Sequence, residues 1–174
     1  KVDPDCRVVY VDHEWVAVKH SELLLQDSDN VGVVQEDIRD VSRLLETVSE
    51  RGLLDLEQPV AVLMYAVLHF IPDSDDPAGI VAAYRDATVP GSYLAISHGT
   101  IDHDPERLGE TAKMYQQSTT PLYVRTKNEV LRMFEGYTLL APGIVYTVQW
   151  QPDDPEDIPE HPELATFYAC VGQR

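Results

Sequence analysis

Four short stations in this 174-residue chain carry side chains able to bind a polar ligand or move a proton. Each follows directly on an apolar run: Asp12-His13, Glu36-Asp37, residues 65–69 and residues 97–100. Asp12 ends the run Arg7-Val8-Val9-Tyr10-Val11. A carboxylate at such a strand tip can accept both hydroxyls of a ribose, and charge-assisted bonds of that kind contribute about 1.5–3 kcal/mol each. The same residue could instead close a strand-end turn or cap a helix. Asp37, in Glu36-Asp37-Ile38-Arg39-Asp40, could accept an adenine amino group with Ile38 flanking the ring, or could cap the helix that carries Leu44 and Leu45. Two acids at successive strand tips fit a nucleoside better than either does alone. His69 and His98 are candidate general bases for an acceptor hydroxyl or amine; local hydrogen bonds are the alternative reading for each. Tyr65 and Tyr115 are either pocket aromatics or core residues. His13, His20, His103 and His161 lack metal-ligand spacing, so no metal site is expected. None of these runs leads into a glycine-rich phosphate loop, which weakens an NAD or ATP reading unless such a loop precedes residue 1.

These stations need a frame that brings strand tips together. Apolar runs over 7–12, 31–35, 60–65 and 92–97 read as strands. The first reads as a strand buried on both faces. Residues 14–26 and the spacing of Val41, Leu44, Leu45 and Val48 read as helices, the second ending near Gly52. Asp76-Pro77 and Asp104-Pro105 each place a capping acid before a proline at the first helical position. Thr126 and Glu129 form a capping-box pattern for a short helix through Phe134. Residues 144–150 and 166–171 read as closing strands, joined by a Pro- and acid-rich loop over 151–163 with no helix between them. The expected fold class is therefore α/β: a mostly parallel, doubly wound sheet with an antiparallel strand at the end.

Composition narrows the partners. Lys and Arg number 13 against 30 Asp and Glu, a net charge of −17. That charge repels phosphate backbones and anionic membrane surfaces, so neither nucleic acid nor membrane is an expected partner. The longest apolar run, 60–71, contains His69 and is too short to span a bilayer. The opening residues show no secretory-signal pattern. Cys6 and Cys170 both lie in apolar runs and are expected as buried free thiols, in keeping with a reducing, cytoplasmic setting.

The stations line up with the class I S-adenosylmethionine-dependent methyltransferase pattern. Leu68-His69-Phe70-Ile71-Pro72-Asp73 resembles the Leu-His-x-x-x-Asp fourth-strand motif of many small-molecule methyltransferases, and Tyr84 through Leu94 is similar to their helix-then-fifth-strand signature. More narrowly, 7–12, 37–40, 59–79, Ser97-His98-x-Thr100 and Pro142-Gly143-Ile144-Val145 resemble the bacterial S-adenosyl methyltransferase family. The resemblance implies a Rossmann-like, seven-stranded sheet with an antiparallel C-terminal hairpin, S-adenosyl-L-methionine as cofactor, and methyl transfer to a small-molecule acceptor. It implies cofactor contacts from Asp12, His13, Asp37, Ile38, Ala66 and Leu68, with His69 and His98 as acceptor-side candidates. Residues 101–124 are the expected lid and pocket wall. The family's first strand and Asp-x-Gly-x-Gly loop have no counterpart in this sequence. Residues 1–174 are accordingly expected to be a single methyltransferase domain that is N-terminally incomplete and binds the cofactor poorly by itself. Two other functions stay open at this point: a non-enzymatic or inactive S-adenosylmethionine binder, and an NAD-dependent oxidoreductase. Neither the acceptor nor the oligomeric state is written in these motifs.

Overall fold

The computed structural model describes residues 5–106, 109–110 and 121–174. The chain forms two compact units, 1–58 and 59–174.

In the first unit β1 (Val8–Asp12) and β2 (Val31–Gln35) run parallel, with Val8 opposite Val31 and Asp12 opposite Gln35. Between them lies α1 (Trp15–Leu25), and β2 leads into α2 (Val41–Glu50). Helix α2 forms because Val41, Leu44 and Val48 repeat on one face and are all buried, and because the Asp40 carboxylate accepts from Arg43 N at its start. Gly52, at a φ of 60°, takes the left-handed turn just beyond its end. Strand β1 departs from the expectation of burial on both faces. Val8 and Tyr10 are exposed, since among the described residues β1 pairs with β2 alone and nothing in this unit covers that side. Helix α1 buries Val18 but leaves Trp15, Val16, Leu23 and Leu24 exposed.

In the second unit β3 (Ala61–Tyr65) runs parallel to β4 (Tyr93–Gly99), so that Tyr65 lies opposite Ser97. One-turn 3₁₀ segments at Leu68–Phe70 and Asp73–Asp75 lead to α3 (Pro77–Ala87), whose cap, Asp76, accepts from Gly79 N. Helix α4 (Lys127–Arg132) carries the predicted capping box. The described residues after Asp104 are helical at 105–106 and 109–110. The closing strands are β5 (Thr138–Leu139), β6 (Val145–Tyr146) and β7 (Phe167–Gln173). The sheet order is β3-β4-β7-β5, with β6 also on β7, and β7 is antiparallel to all its neighbours. The expected closing hairpin is thus present in reduced form. Residues 147–149 turn into a 3₁₀ segment, so β6 covers only two residues. Strand β7 instead pairs over its whole length with β4. Leu68, Val81, Leu94, Ile96, Val130 and Cys170 form the centre of this unit's core.

Two further expectations are corrected. Cys6 is exposed and only Cys170 is buried, because residue 6 precedes β1 instead of joining it. Burial pushes the Cys170 thiol up to about 11, so it is unreactive at neutral pH. Strand β4 also runs two residues past the expected end, which makes His98 a core strand residue and not a loop residue.

Candidate functional site

The parallel register of the first unit sets Asp12, the last residue of β1, opposite Gln35, two residues before Asp37. Glu36 N donates to Asp12 O and extends the ladder to the tip. Asp12 Oδ1 accepts from Glu14 N at 2.9 Å, so one oxygen closes the turn into α1. The turn and ligand readings of Asp12 are therefore compatible, each using a different part of one carboxylate. His13 is exposed between two acids, with Nδ1 3.8 Å from Asp12 and Nε2 3.4 Å from Glu14. Asp37 does not cap α2, since Asp40 does. Its carboxylate is forked by its neighbour: Arg39 N, Nε and Nη2 approach at 2.9, 3.0 and 2.5 Å. Hydrogen bonding to the Arg39 side chain holds the Asp37 carboxyl below the usual carboxylate range, against the opposing effect of partial burial. Ile38 is half-buried beside it. Glu36 turns away to Arg43 and Thr47 of α2 and serves the helix. The two candidate nucleoside acids thus stand at neighbouring strand tips.

The second unit holds the two candidate bases. Ala66, directly after β3, sits at a φ of 53°, a left-handed conformation that costs a residue with a Cβ roughly 1–2 kcal/mol. Its N–H donates to Ser97 Oγ at 2.9 Å, which helps to hold the strained turn. Leu68 is fully buried, and its carbonyl accepts from Ile71 N and Arg125 Nη1. Tyr65 is exposed, against its core reading. Tyr115 lies outside the described residues, as do 107–108 and 111–120 of the predicted lid.

His69 and His98 meet edge to face, with ring centroids 5.7 Å apart. Phe70 and Phe167 also stand edge-on to His69, at 4.4 and 5.5 Å. His69 is buried, and among the described residues its Nδ1 has no hydrogen-bond partner. A Cβ built on Gly99 would lie 3.8 Å from that nitrogen, in ordinary contact, so a methyl-sized space opens beside it. Burial and the charge of Arg125 hold the His69 imidazole below its usual pKa of 6.5. His98 is fully buried, and both its ring nitrogens are engaged: Nδ1 with Gly99 O at 2.8 Å and Nε2 with Arg125 Nη1 at 2.9 Å. Burial above all, with the Arg125 charge, pulls its pKa down to about 4.

Sequence reasoning missed Arg125, Asp102 and Tyr168. Asp102 accepts from Lys127 N at 2.8 Å and Tyr168 Oη at 2.9 Å, tying the start of α4 to β7. The signal for Arg125 was its place immediately before the capping box; its burial was not legible from that. Among the described residues no cluster of His, Cys, Asp or Glu is placed to hold a metal ion, and no helix is long and apolar enough to cross a membrane.

The family model described as S-adenosyl methyltransferase matches residues 1–174. The chain belongs to the S-adenosyl methyltransferase family. Two solved structures fit this assignment. A DUF574 family protein from Streptomyces avermitilis is 34% identical over 98% of this chain, with a TM-score of 0.89. A candidate methyltransferase from Thermobifida fusca is 32% identical over 99%, also at 0.89. The chain spans 66% and 65% of those two chains, less than two thirds of each. The N-methyltransferase NodS from Bradyrhizobium japonicum, solved with S-adenosyl-L-homocysteine, covers 97% of this chain at 12% identity and a TM-score of 0.58, a likeness of fold alone; this chain covers 66% of it. Comparison with curated proteins gives no match.

Proposed function

We propose that the protein transfers a methyl group from S-adenosylmethionine to a small-molecule acceptor in a cytoplasmic setting. The observation that carries this reading is the pair of acids at adjacent strand tips, Asp12 and Asp37, in a chain that matches an S-adenosyl methyltransferase family from end to end. The unbroken match also supports taking both units as parts of one methyltransferase domain. Asp12 receives the ribose hydroxyls, Asp37 the adenine amine beside Ile38, and His13 borders the ribose acid. When bound, the cofactor supplies a sulfonium methyl group open to in-line attack. His69 Nδ1 takes the proton that the acceptor hydroxyl or amine gives up, and releases it to water after the methylated product leaves. Burial and Arg125 keep that imidazole neutral at pH 7, the form able to accept. His98 is not given this role, since both its nitrogens are already engaged.

The test is calorimetric titration of the full-length protein with S-adenosylhomocysteine and with NAD, followed by transfer of radiolabelled methyl to a panel of small hydroxyl and amine acceptors. Only S-adenosylhomocysteine should bind. Asp12→Ala should weaken that binding by at least about tenfold, the equivalent of one charge-assisted hydrogen bond. Unchanged affinity in a folded Asp12→Ala protein would exclude Asp12 from the site. Binding of NAD in place of S-adenosylhomocysteine would overturn the whole reading.

A further inference from the structure

Arg125 is the most buried cation among the described residues, at 5% exposure, and none of the strand-tip motifs contains it. A buried guanidinium is tolerated only when its charge and its donors are met. All five N–H groups of Arg125 have acceptors. Nε and one Nη2 hydrogen go to Asp73 Oδ1 at 3.2 and 2.7 Å. The second Nη2 hydrogen goes to Ile71 O at 2.8 Å. The two Nη1 hydrogens go to Leu68 O at 3.0 Å and His98 Nε2 at 2.9 Å.

This pattern has a chemical consequence for His98. Arginine donates and cannot accept, so the nitrogen facing it must carry the lone pair. The His98 proton is therefore on Nδ1, donated to Gly99 O. The two carbonyls that Arg125 holds, Leu68 and Ile71, bracket the 3₁₀ turn that carries His69. The same segment stitches that turn to β4, because Tyr123 N donates to His69 O and Arg125 N to Gly99 O.

We infer that Arg125 is a positioning residue: it locks His98 as the neutral Nδ1–H tautomer and pins the 68–71 turn, so that proton acceptance falls to His69 Nδ1. The inference rests on the proposed reading that His69 takes the acceptor's proton. Among the described residues, the charged groups acting on this pair are Arg125, its partner Asp73 and, toward His98, Glu129 of α4. From β7, Phe167 stands edge-on to His69 and Tyr168 lies opposite His98, its phenol held protonated chiefly by burial.

The experiment is ¹⁵N NMR of histidine-labelled full-length protein beside steady-state kinetics. In the unsubstituted protein the His98 resonances should show a protonated Nδ1 and an unprotonated Nε2 throughout the neutral range; an Nε2–H pattern overturns the inference without any variant. Arg125→Lys keeps the charge but offers three donors from one point in place of a five-donor fork. It should mix the His98 tautomers and lower kcat by roughly 10- to 100-fold, as expected for a misplaced catalytic group. The KM for S-adenosylmethionine should stay within about twofold. A folded Arg125→Lys protein with the tautomer still locked and kcat within about twofold overturns the inference. If Arg125→Lys does not fold, Asp73→Asn replaces an 86% exposed carboxylate and should give a smaller shift of the same kind; no shift there, with kcat unchanged, is equally decisive against it. Absence of methyl transfer in the unsubstituted protein defeats the proposed function instead, and the NMR result still decides the clamp.

Discussion

His98 links folding to protonation at the scale of one residue. Its pKa falls from 6.5 to about 4 on folding, chiefly through burial. In that interval the unfolded chain binds a proton that the folded chain refuses, so stability rises with pH there. The contribution is complete above pH 6.5 and is lost as pH falls toward 4. Integrated over that window it amounts to on the order of 3 kcal/mol. Urea denaturation at a series of pH values should show stability falling through this window, and the His98 imidazole should remain neutral in NMR titrations down to about pH 5. A His98 that titrates near 6.5 would show that burial is not acting as described. The strand-tip acids were legible in the sequence because a carboxylate ending an apolar run is a pattern in one dimension. Arg125 was not, because its partners Leu68, Ile71, Asp73 and His98 reach it from residues 27 to 57 positions away.

At the scale of elements, β4 and β7 each carry one glycine in the antiparallel ladder, Gly99 opposite Phe167 and Gly172 opposite Leu94. Gly99, at the end of β4, has ordinary contact distances around a hypothetical Cβ, the nearest being Val124 Cγ1 at 3.6 Å. Gly172, in β7, would bring a Cβ to 2.8 Å from Tyr137 Cβ and 2.9 Å from Phe134 Cδ1. The turn after α4 packs so close to β7 that no methyl group fits without moving it. Gly172→Ala should therefore cost about 1–3 kcal/mol in chemical denaturation, with Gly99→Ala close to neutral. Equal effects would show that the approach of 134–137 to β7 is looser than drawn. The parallel pairs β1–β2 and β3–β4 followed from apolar runs alternating with helices. The short β5, the curtailed β6 and the full pairing of β7 with β4 did not, since they depend on which edge the last strand finds.

For the molecule as a whole the governing quantity is the net charge of −17. Self-repulsion at that charge weakens the compact state, and added salt screens it within about 10 Å at 0.1 M. The observed ion pairs are mostly at the surface, where each contributes little. Thermal denaturation at neutral pH should therefore shift to higher temperature between about 20 mM and about 300 mM NaCl. A fall in Tm over that range would mean that attractive pairs outweigh the net repulsion.

The sequence by itself determined the α/β class, the caps at Asp76 and Thr126, the acids at two strand tips and the family resemblance. All of these are local: a period, a dipeptide, or a residue at the end of a run. Tertiary structure alone decided that α2 is capped by Asp40 and not Asp37, that Cys6 is exposed, and that His98 is a strand residue with both nitrogens engaged. It also decided that His69 keeps a buried nitrogen without a partner among the described residues. For the two histidines the physical reason is shared. A side chain's protonation, tautomer and freedom to react are set by neighbours distant in sequence, and burial makes those neighbours count for several kcal/mol where water would have cancelled them.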